Sequence, residues 1–398
     1  MKLAVKSLAL KSIALLVATV LWVFFLGWYF RTDLAAYRAA EGIAPQARAM
    51  AARHLAIWTD PEQRQQELDN MYKANPEWDF MSRTFFVLAL ANMALRNPAM
   101  QPQALDIIDA IVDNTIRLER EKGLYHFLMG YSKSAPWALQ PARSQFIDGE
   151  IALMLAARRM LAEKPEYQAL LAARIKIMIG RMEQSPVLLA ESYPDECWLF
   201  CNSIGLAAIR ISDVLDDTDH SAFLNTWVKT AKEKLVDPQT GILIAATTVK
   251  GAPARAGEHP EGSTIWLLSH MLQIIDPAFA ADQYRRAQKE LGRSIAGFGY
   301  AREWPAMYPS LADVDSGPIV PVLNASAGSS GLAMIGAAAF GDMDFLSRLL
   351  TSLNFAAFPV EKDGRLRYLA SNPVGDAVML YAMVLGPLWA EVERRAKS

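Results

Sequence analysis

Both cysteines of this 398-residue chain stand in one stretch, Glu191–Ile204, which reads Glu-Ser-Tyr-Pro-Asp-Glu-Cys-Trp-Leu-Phe-Cys-Asn-Ser-Ile. Cys197 and Cys201 share it with two carboxylates beside a proline and with several aromatics. A loop so dense in reactive and polar groups, set between long helices, is where an all-helical barrel would place a pocket. The competing reading is a capped inter-helix loop whose cysteines fill small gaps in the core. Pro194 and Asp195 break helical periodicity, and Ser203 is positioned to cap a helix over Ile204–Leu215.

Further groups able to do acid or base chemistry follow other turns. Glu150, after Asp148-Gly149, opens an apolar helix; there it serves either the helix dipole or a barrel mouth, as an acid or base. His259 lies in Gly-Glu-His-Pro-Glu-Gly between two acids, just before a helix at Ser263. Between Gly299 and Gly331 runs a long irregular segment carrying Arg302-Glu303-Trp304, then Asp313 and Asp315. Such length without regular structure points to function or disorder, and Trp304, Tyr308 and Ile319 argue against disorder. Asp313 and Asp315 would share a face of an extended chain, and one could then titrate high while the other stays ionised. Solvated loop aspartates are the alternative. Arg302 would pair with Glu303 or anchor a polar substrate group, and Tyr368, with Arg367, would close the same mouth.

Several function classes find no support. The chain carries 42 acidic and 40 basic residues, interspersed, for a net charge of −2, with no basic stripe for nucleic acid. No P-loop or dinucleotide fingerprint is present, and no HExxH or paired CxxC pattern marks a metal site. No cofactor is expected.

The elements that must position these groups are helices. Lys2, Lys6 and Lys11 precede an uncharged run from Ser12 to Phe30, closed by Arg31. That length suits a bilayer core of about 30 Å better than a cleavable signal of about 7–15 apolar residues. Residues 1–31 therefore read as a signal-anchor with its N-terminus in the cytoplasm and Trp22, Trp28 and Tyr29 at the far interface. A cleaved signal peptide is the alternative. The rest would face a bacterial periplasm, where the two thiols are expected free unless a loop brings them together. From Leu34 onward, fourteen amphipathic segments follow, among them Pro45–Trp58, Asp79–Arg96, Phe146–Glu163, Pro277–Ile295 and Gly375–Lys397. Short strands are expected only at Ile242–Val249 and Arg365–Leu369. Paired helices without a linker or a composition shift predict one all-α domain over 32–398, an (α/α)6 toroid.

Motifs in order support a family. Pro194-Asp195, Cys201-Asn202-Ser203, Trp227, Leu235-Val-Asp-Pro with Gly241, Asp276-Pro-Ala-Phe279, Ala301-Arg-Glu303 and Arg367-Tyr368 together resemble linalool dehydratase-isomerase, over roughly residues 79–388. That family is an (α/α)6 barrel of the bacterial periplasm that isomerises geraniol and linalool and dehydrates linalool. The resemblance implies a ring-shaped homo-oligomer and cofactor-free acid/base work on a terpenoid-like alcohol. It puts the family's acid–base cysteine on Cys201, its second cysteine on Ser192 and its histidine on Glu150. The family's aspartate and tyrosine near the barrel start have no clear counterpart, with Asp79 and Asp60 as guesses. The pocket so implied contains Cys201, Glu150, Asp195, Asp313 and Asp315 as catalytic groups. Ser192, Asn202, His259, Arg302, Glu303, Trp304 and Tyr368 would bind substrate. Two other readings stay open: a glycosidase or polysaccharide lyase using paired carboxylates, with Trp137, Trp198 and Trp304 stacking sugars, and a non-enzymatic envelope scaffold.

Overall fold

The computed structural model describes residues 2–254, 258–308, 310 and 317–397. The chain begins with α1 (Lys2–Tyr29), α2 (Leu34–Tyr37), α3 (Pro45–Thr59), α4 (Pro61–Ala74), α5 (Pro76–Arg96) and α6 (Gln101–Lys122). It continues through α7 (Gln145–Leu161), α8 (Pro165–Met182), β1 (Cys197–Trp198), α9 (Leu199–Asp216), α10 (Ser221–Lys234) and β2 (Ala246–Thr247). Next come α11 (Gly262–Leu272), α12 (Pro277–Glu290), β3 (Gly292–Ile295), β4 (Phe298–Arg302), β5 (Ile319–Val320), β6 (Ala325–Ser326) and α13 (Ala327–Ala339). The last elements are α14 (Met343–Ala356), β7 (Pro359–Lys362), β8 (Arg365–Tyr368), α15 (Pro373–Val384) and α16 (Pro387–Arg395).

Sequence pattern sorts these helices into two rings. A helix that is apolar all round must be covered on every side, whereas one with a single apolar stripe can face water. On α7, every residue from Gln145 to Met160 is buried, and α5, α9, α11, α13 and α15 are buried nearly as fully. These six pack each against the next, and α15 returns to α5, so the inner ring closes. The outer helices bury one stripe: Leu224, Trp227, Val228 and Ala231 on α10, at helical spacing; Ile107, Ile108, Ile111 and Val112 on α6. With α6, α8, α10, α12 and α14 outside, and α3 and α4 filling the sixth outer place against α15 and α5, the fold is an (α/α)6 barrel.

The two ends of the barrel differ. Inner helices lead to outer ones through turns of three or four residues at 162–164, 217–220, 273–276 and 340–342. The return connections, 183–198, 235–261, 291–326 and 357–372, are long and carry all the strands. The short-turn end is floored by α16, which lies across α5, α7 and α9 with Leu388, Trp389 and Val392 buried. Asn92 Oδ1 accepts from Leu388 N at 3.0 Å, and Trp389 Nε1 donates to His270 O at 3.2 Å. The other end stays open.

Besides the strands β1 and β4–β7, which are not among those expected, four elements depart from the sequence pattern. The run Pro277–Ile295 ends as a helix at Glu290, and Gly292–Ile295 pairs with β4 instead. Gly375–Lys397 breaks at Gly386, φ +126°, before Pro387, where the chain bends by 56°. Of Ile242–Val249 only Ala246–Thr247 is strand, paired with Cys197–Trp198. α9 begins at Leu199, five residues before the expected start, and Ser203 Oγ donates to Phe200 O inside it rather than capping it.

α1 is apolar and long enough to cross a membrane. It stands clear of the barrel until its last turn, where Gly27 meets Ala296 and the Phe30 ring lies 5.3 Å from that of Phe355.

Candidate functional site

A cavity of about 1450 Å³ opens at the end opposite α16. It is lined by the first two turns of all six inner helices: Glu77 and Met81 of α5, Phe146 of α7, Cys201 of α9, Thr264 of α11, Leu332 of α13 and Val378 of α15. Trp78, Phe200, Met334, Leu353 and Met379 make most of its wall apolar. Helix N-termini aimed at one volume favour negative charge there.

The reactive groups gather where α5, α7 and α9 meet. Gly149 and Gly205 let α7 and α9 approach closely: a Cβ at Gly149 would sit 3.1 Å from Cys201 O, and one at Gly205 would sit 2.2 Å from Gln145 Nε2. That approach brings Glu150 beside Cys201, whose thiol it influences electrostatically together with Glu77. Of the two α7 carboxylates, Asp148 is consumed by Arg143 and by Arg174, whose Nη1 lies 2.6 Å away. Glu150 is fully buried, and among the described residues it has no charged partner and neither carboxyl oxygen has a hydrogen bond of good geometry. Burial, reinforced by Glu77 and opposed by nearby Thr84, raises its pKa from 4.5 to about 8.

Burial likewise pushes the Cys201 thiol well up, with Ser192 pulling the other way. A thiol in the first turn of a helix is ordinarily acidified by the dipole; here desolvation wins. Both cysteines are free and buried, and Cys197 is pushed up too, by burial and then by Glu191 and Asp195. Across the cavity wall, the Tyr193 hydroxyl donates a short hydrogen bond to Glu77 Oε1 and accepts from Met129 N at 2.9 Å. Burial, then Glu77, keeps that phenol protonated. The tyrosine is aimed by the turn at Tyr193–Glu196, where Asp195 takes φ +56°. Asn75 caps α5 at Glu77 N, 2.8 Å, fixing the start of the helix that carries Glu77.

Among the residues singled out from sequence, the cavity gathers Cys201, His259 and Trp304, with Glu150 and Ser192 buried behind Cys201. His259 sits on the rim, stacked at 3.8 Å on Tyr308 with its Nε2 3.5 Å from Glu258. Asp313 and Asp315 lie outside the described residues. Five others stand elsewhere, and each has a structural task. Asp195 is exposed at the turn, and its Oδ1 accepts from Val249 N at 3.0 Å. Asn202 points away from the cavity, tying Ala190 N and O and Trp198 O. Glu303 accepts from Ser263 N at 2.8 Å and from the Ser263 and Ser326 hydroxyls, clasping the starts of α11 and α13. Arg302 lies on β4, its backbone bonded to Leu291 and Ser329, and forms no ion pair with Glu303 among the described residues. Tyr368 is buried against Tyr37 and Asn354 at 3.2 and 3.1 Å. Trp198 lines the cavity; Trp137 is buried outside it, bonded to Tyr125.

Glu77 and Tyr193 carried no usable sequence signal. Asp79 forms a buried ion pair with Arg83 at 2.9 Å, and Asp60 caps α4, so neither reaches the cavity. Among the described residues no three His, Cys, Asp or Glu side chains converge to hold a metal.

Solved structures that resemble the chain include the following two. A GH76 α-mannanase of Bacteroides thetaiotaomicron shares 11% identity at a TM-score of 0.48, covering 80% of this chain and 87% of that one. A D-mannose isomerase shares 11% at 0.48, covering 79% and 86%. The family model for linalool dehydratase/isomerase matches residues 151–373, from the helix of Glu150 through Cys201 to the start of α15. With more than half of its length matched, this chain belongs to the linalool dehydratase/isomerase family.

Proposed function

We propose that the protein is an acid/base lyase or isomerase acting on a small apolar alcohol, with no cofactor. The observation that supports it is the Glu150 carboxyl, buried beside Cys201 and Glu77, with a pKa near 8 behind an apolar cavity. Losing a hydroxyl as water requires a proton donor at oxygen and an acceptor for a proton on neighbouring carbon. A neutral Glu150 or the neutral Cys201 thiol supplies the first, and Glu77, already accepting from Tyr193, supplies the second. Re-adding the hydroxyl elsewhere would isomerise an allylic alcohol with the same groups. His259 and Trp304 would meet the substrate at the rim. α1 would anchor the barrel in a bacterial inner membrane, with Lys2, Lys6 and Lys11 inside and the barrel in the periplasm.

The test is turnover of allylic terpenoid alcohols, followed as hydrocarbon and isomer formation, by wild type, Cys201→Ala and Glu150→Gln. Each variant is expected to lose roughly 10²–10⁴-fold while staying folded. Undiminished turnover by both would remove this mechanism. The indoles of Trp198 and Trp304 on the cavity wall favour a second reading, a saccharide substrate cleaved with the cavity-lining Glu77 as one of two carboxylates. Oligosaccharides in the same assay decide between the two.

A further inference from the structure

Three large apolar side chains at the cavity mouth face solvent, Phe355 at 43%, Phe358 at 62% and Leu369 at 54% exposed, and Ile295, 53% exposed, extends the patch through its strand partner Phe298. Leu369 itself lines the cavity, as do Ala356 and Ala357, which separate Phe355 from Phe358. Leu369 N donates to Phe358 O at 3.2 Å, which sets those two residues side by side. A contiguous apolar rim around a binding cavity marks an interaction surface rather than ordinary scatter.

What covers this rim is indicated by where α1 ends. Phe355 touches Phe30, and it also touches Phe298 on β4, each at 5.3 Å between ring centroids. A Cβ on Gly27 would fall 1.9 Å from Ala296 O, so the last turn of α1 lies directly against the β3–β4 hairpin. The apolar stretch Lys6–Tyr29 is 24 residues long, about 36 Å as a helix, against a bilayer core of about 30 Å. Its final two turns expose Trp22, Phe25, Trp28 and Tyr29, side chains that settle at the headgroup level. The end of α1 that reaches the interface is thus the end bound to the rim; exposed Arg31 follows α1, and exposed Arg365 and Arg367 follow Phe358 on β8, suited to anionic headgroups.

We propose that this rim docks on the bilayer surface beside α1, so that the cavity takes its substrate from the lipid phase. The proposal rests on α1 being a membrane anchor, and adds the orientation of the barrel: mouth toward the membrane, α16 away from it.

The experiment uses the full chain in liposomes, with an environment-sensitive fluorophore attached at Phe358→Cys, at Leu16→Cys in mid-α1, or at Glu166→Cys. Glu166 is exposed at the start of α8, on the short-turn end of the barrel. The wild-type chain, treated identically, gives the background from Cys197 and Cys201. Docking predicts that lipids spin-labelled near the headgroup quench the Phe358→Cys probe about two-fold or more, and leave Glu166→Cys unquenched. Lipids labelled deep in the acyl chain should quench Leu16→Cys most. If Phe358→Cys behaves like Glu166→Cys while Leu16→Cys is quenched, the anchor stands and the docking is overturned. If Leu16→Cys is unquenched, anchor and docking fall together.

Discussion

At the scale of residues, the site turns on one unpaired carboxyl. Glu150 has lost its water without gaining a cation, so its proton is held to about pH 8. If the neutral acid delivers a proton, kcat should be level up to about pH 7, fall as pH rises through about 8, and in Glu150→Gln be roughly 10²–10⁴-fold lower without that fall. A fall of unchanged position in a residually active Glu150→Gln would assign that titration to another group. The same shift has a stability consequence of defined sign. The folded state holds the proton that the unfolded chain releases near 4.5, so Glu150's own contribution to stability is greatest below that pH. It declines by about 1.4 kcal/mol per pH unit until Glu150 ionises in the fold near 8. Urea midpoints between pH 5 and 8 should therefore slope less in Glu150→Gln than in wild type. Cys201 and Glu150 were legible because the motif order around them survives. Glu77 and Tyr193 were not, because their partnership spans more than a hundred residues and neither has a local pattern. Residue type alone also misled: Asn202, Glu303 and Tyr368 are polar and sit in suggestive motifs, yet their hydrogen bonds are spent on the backbone and on neighbouring structural side chains.

At the scale of elements, the helices followed from periodicity, and the exceptions have local causes. The β3–β4 hairpin turns through Ala296 at φ +49° and Gly297 at φ +92°, a turn usually announced by Asn-Gly or Asp-Gly. With alanine in the first place it reads as the tail of α12. The break at Gly386-Pro387 was masked because the apolar pattern resumes beyond it in Leu388, Trp389 and Val392. α9 starts early because Leu199 N bonds Ala245 O, which carries β1 directly into the helix. What holds the mouth together is less visible in sequence, and Glu303 is the clearest case. Its carboxylate takes the Ser263 amide and two hydroxyls, while its own carbonyl accepts from Gly262 N at 2.7 Å. Glu303→Gln offers one acceptor oxygen in place of two and should cost about 1–3 kcal/mol in stability. Because the side chain does not reach the cavity, KM for the folded enzyme should be unchanged at low temperature. A raised KM with full stability would make Glu303 a substrate contact after all.

At the scale of the molecule, closing the inner ring accounts for both the cavity and its polarity. Six helices enter in the same sense, so their N-termini share one end, and the long return loops are free to shape a mouth because the other end needs only short turns and α16. Ring closure could be expected from the number of helix pairs; which end opens, and what faces it, could not, since both depend on contacts between distant segments. α1 stands apart from this arrangement. Leu15, Leu16 and Leu21 are exposed, and among the described residues α1 joins the barrel at its last turn and just beyond it, where Thr32 accepts from Asn354 Nδ2 at 2.7 Å. Removing residues 1–30 therefore deletes little of the core, and the barrel should melt within about 4 °C of the full chain. The truncated chain should leave the membrane fraction under an alkaline wash that strips surface contacts, while the full chain stays. Retention of the truncated chain after that wash would mean that a second segment is buried in the bilayer, because a docked rim has no buried span to resist it.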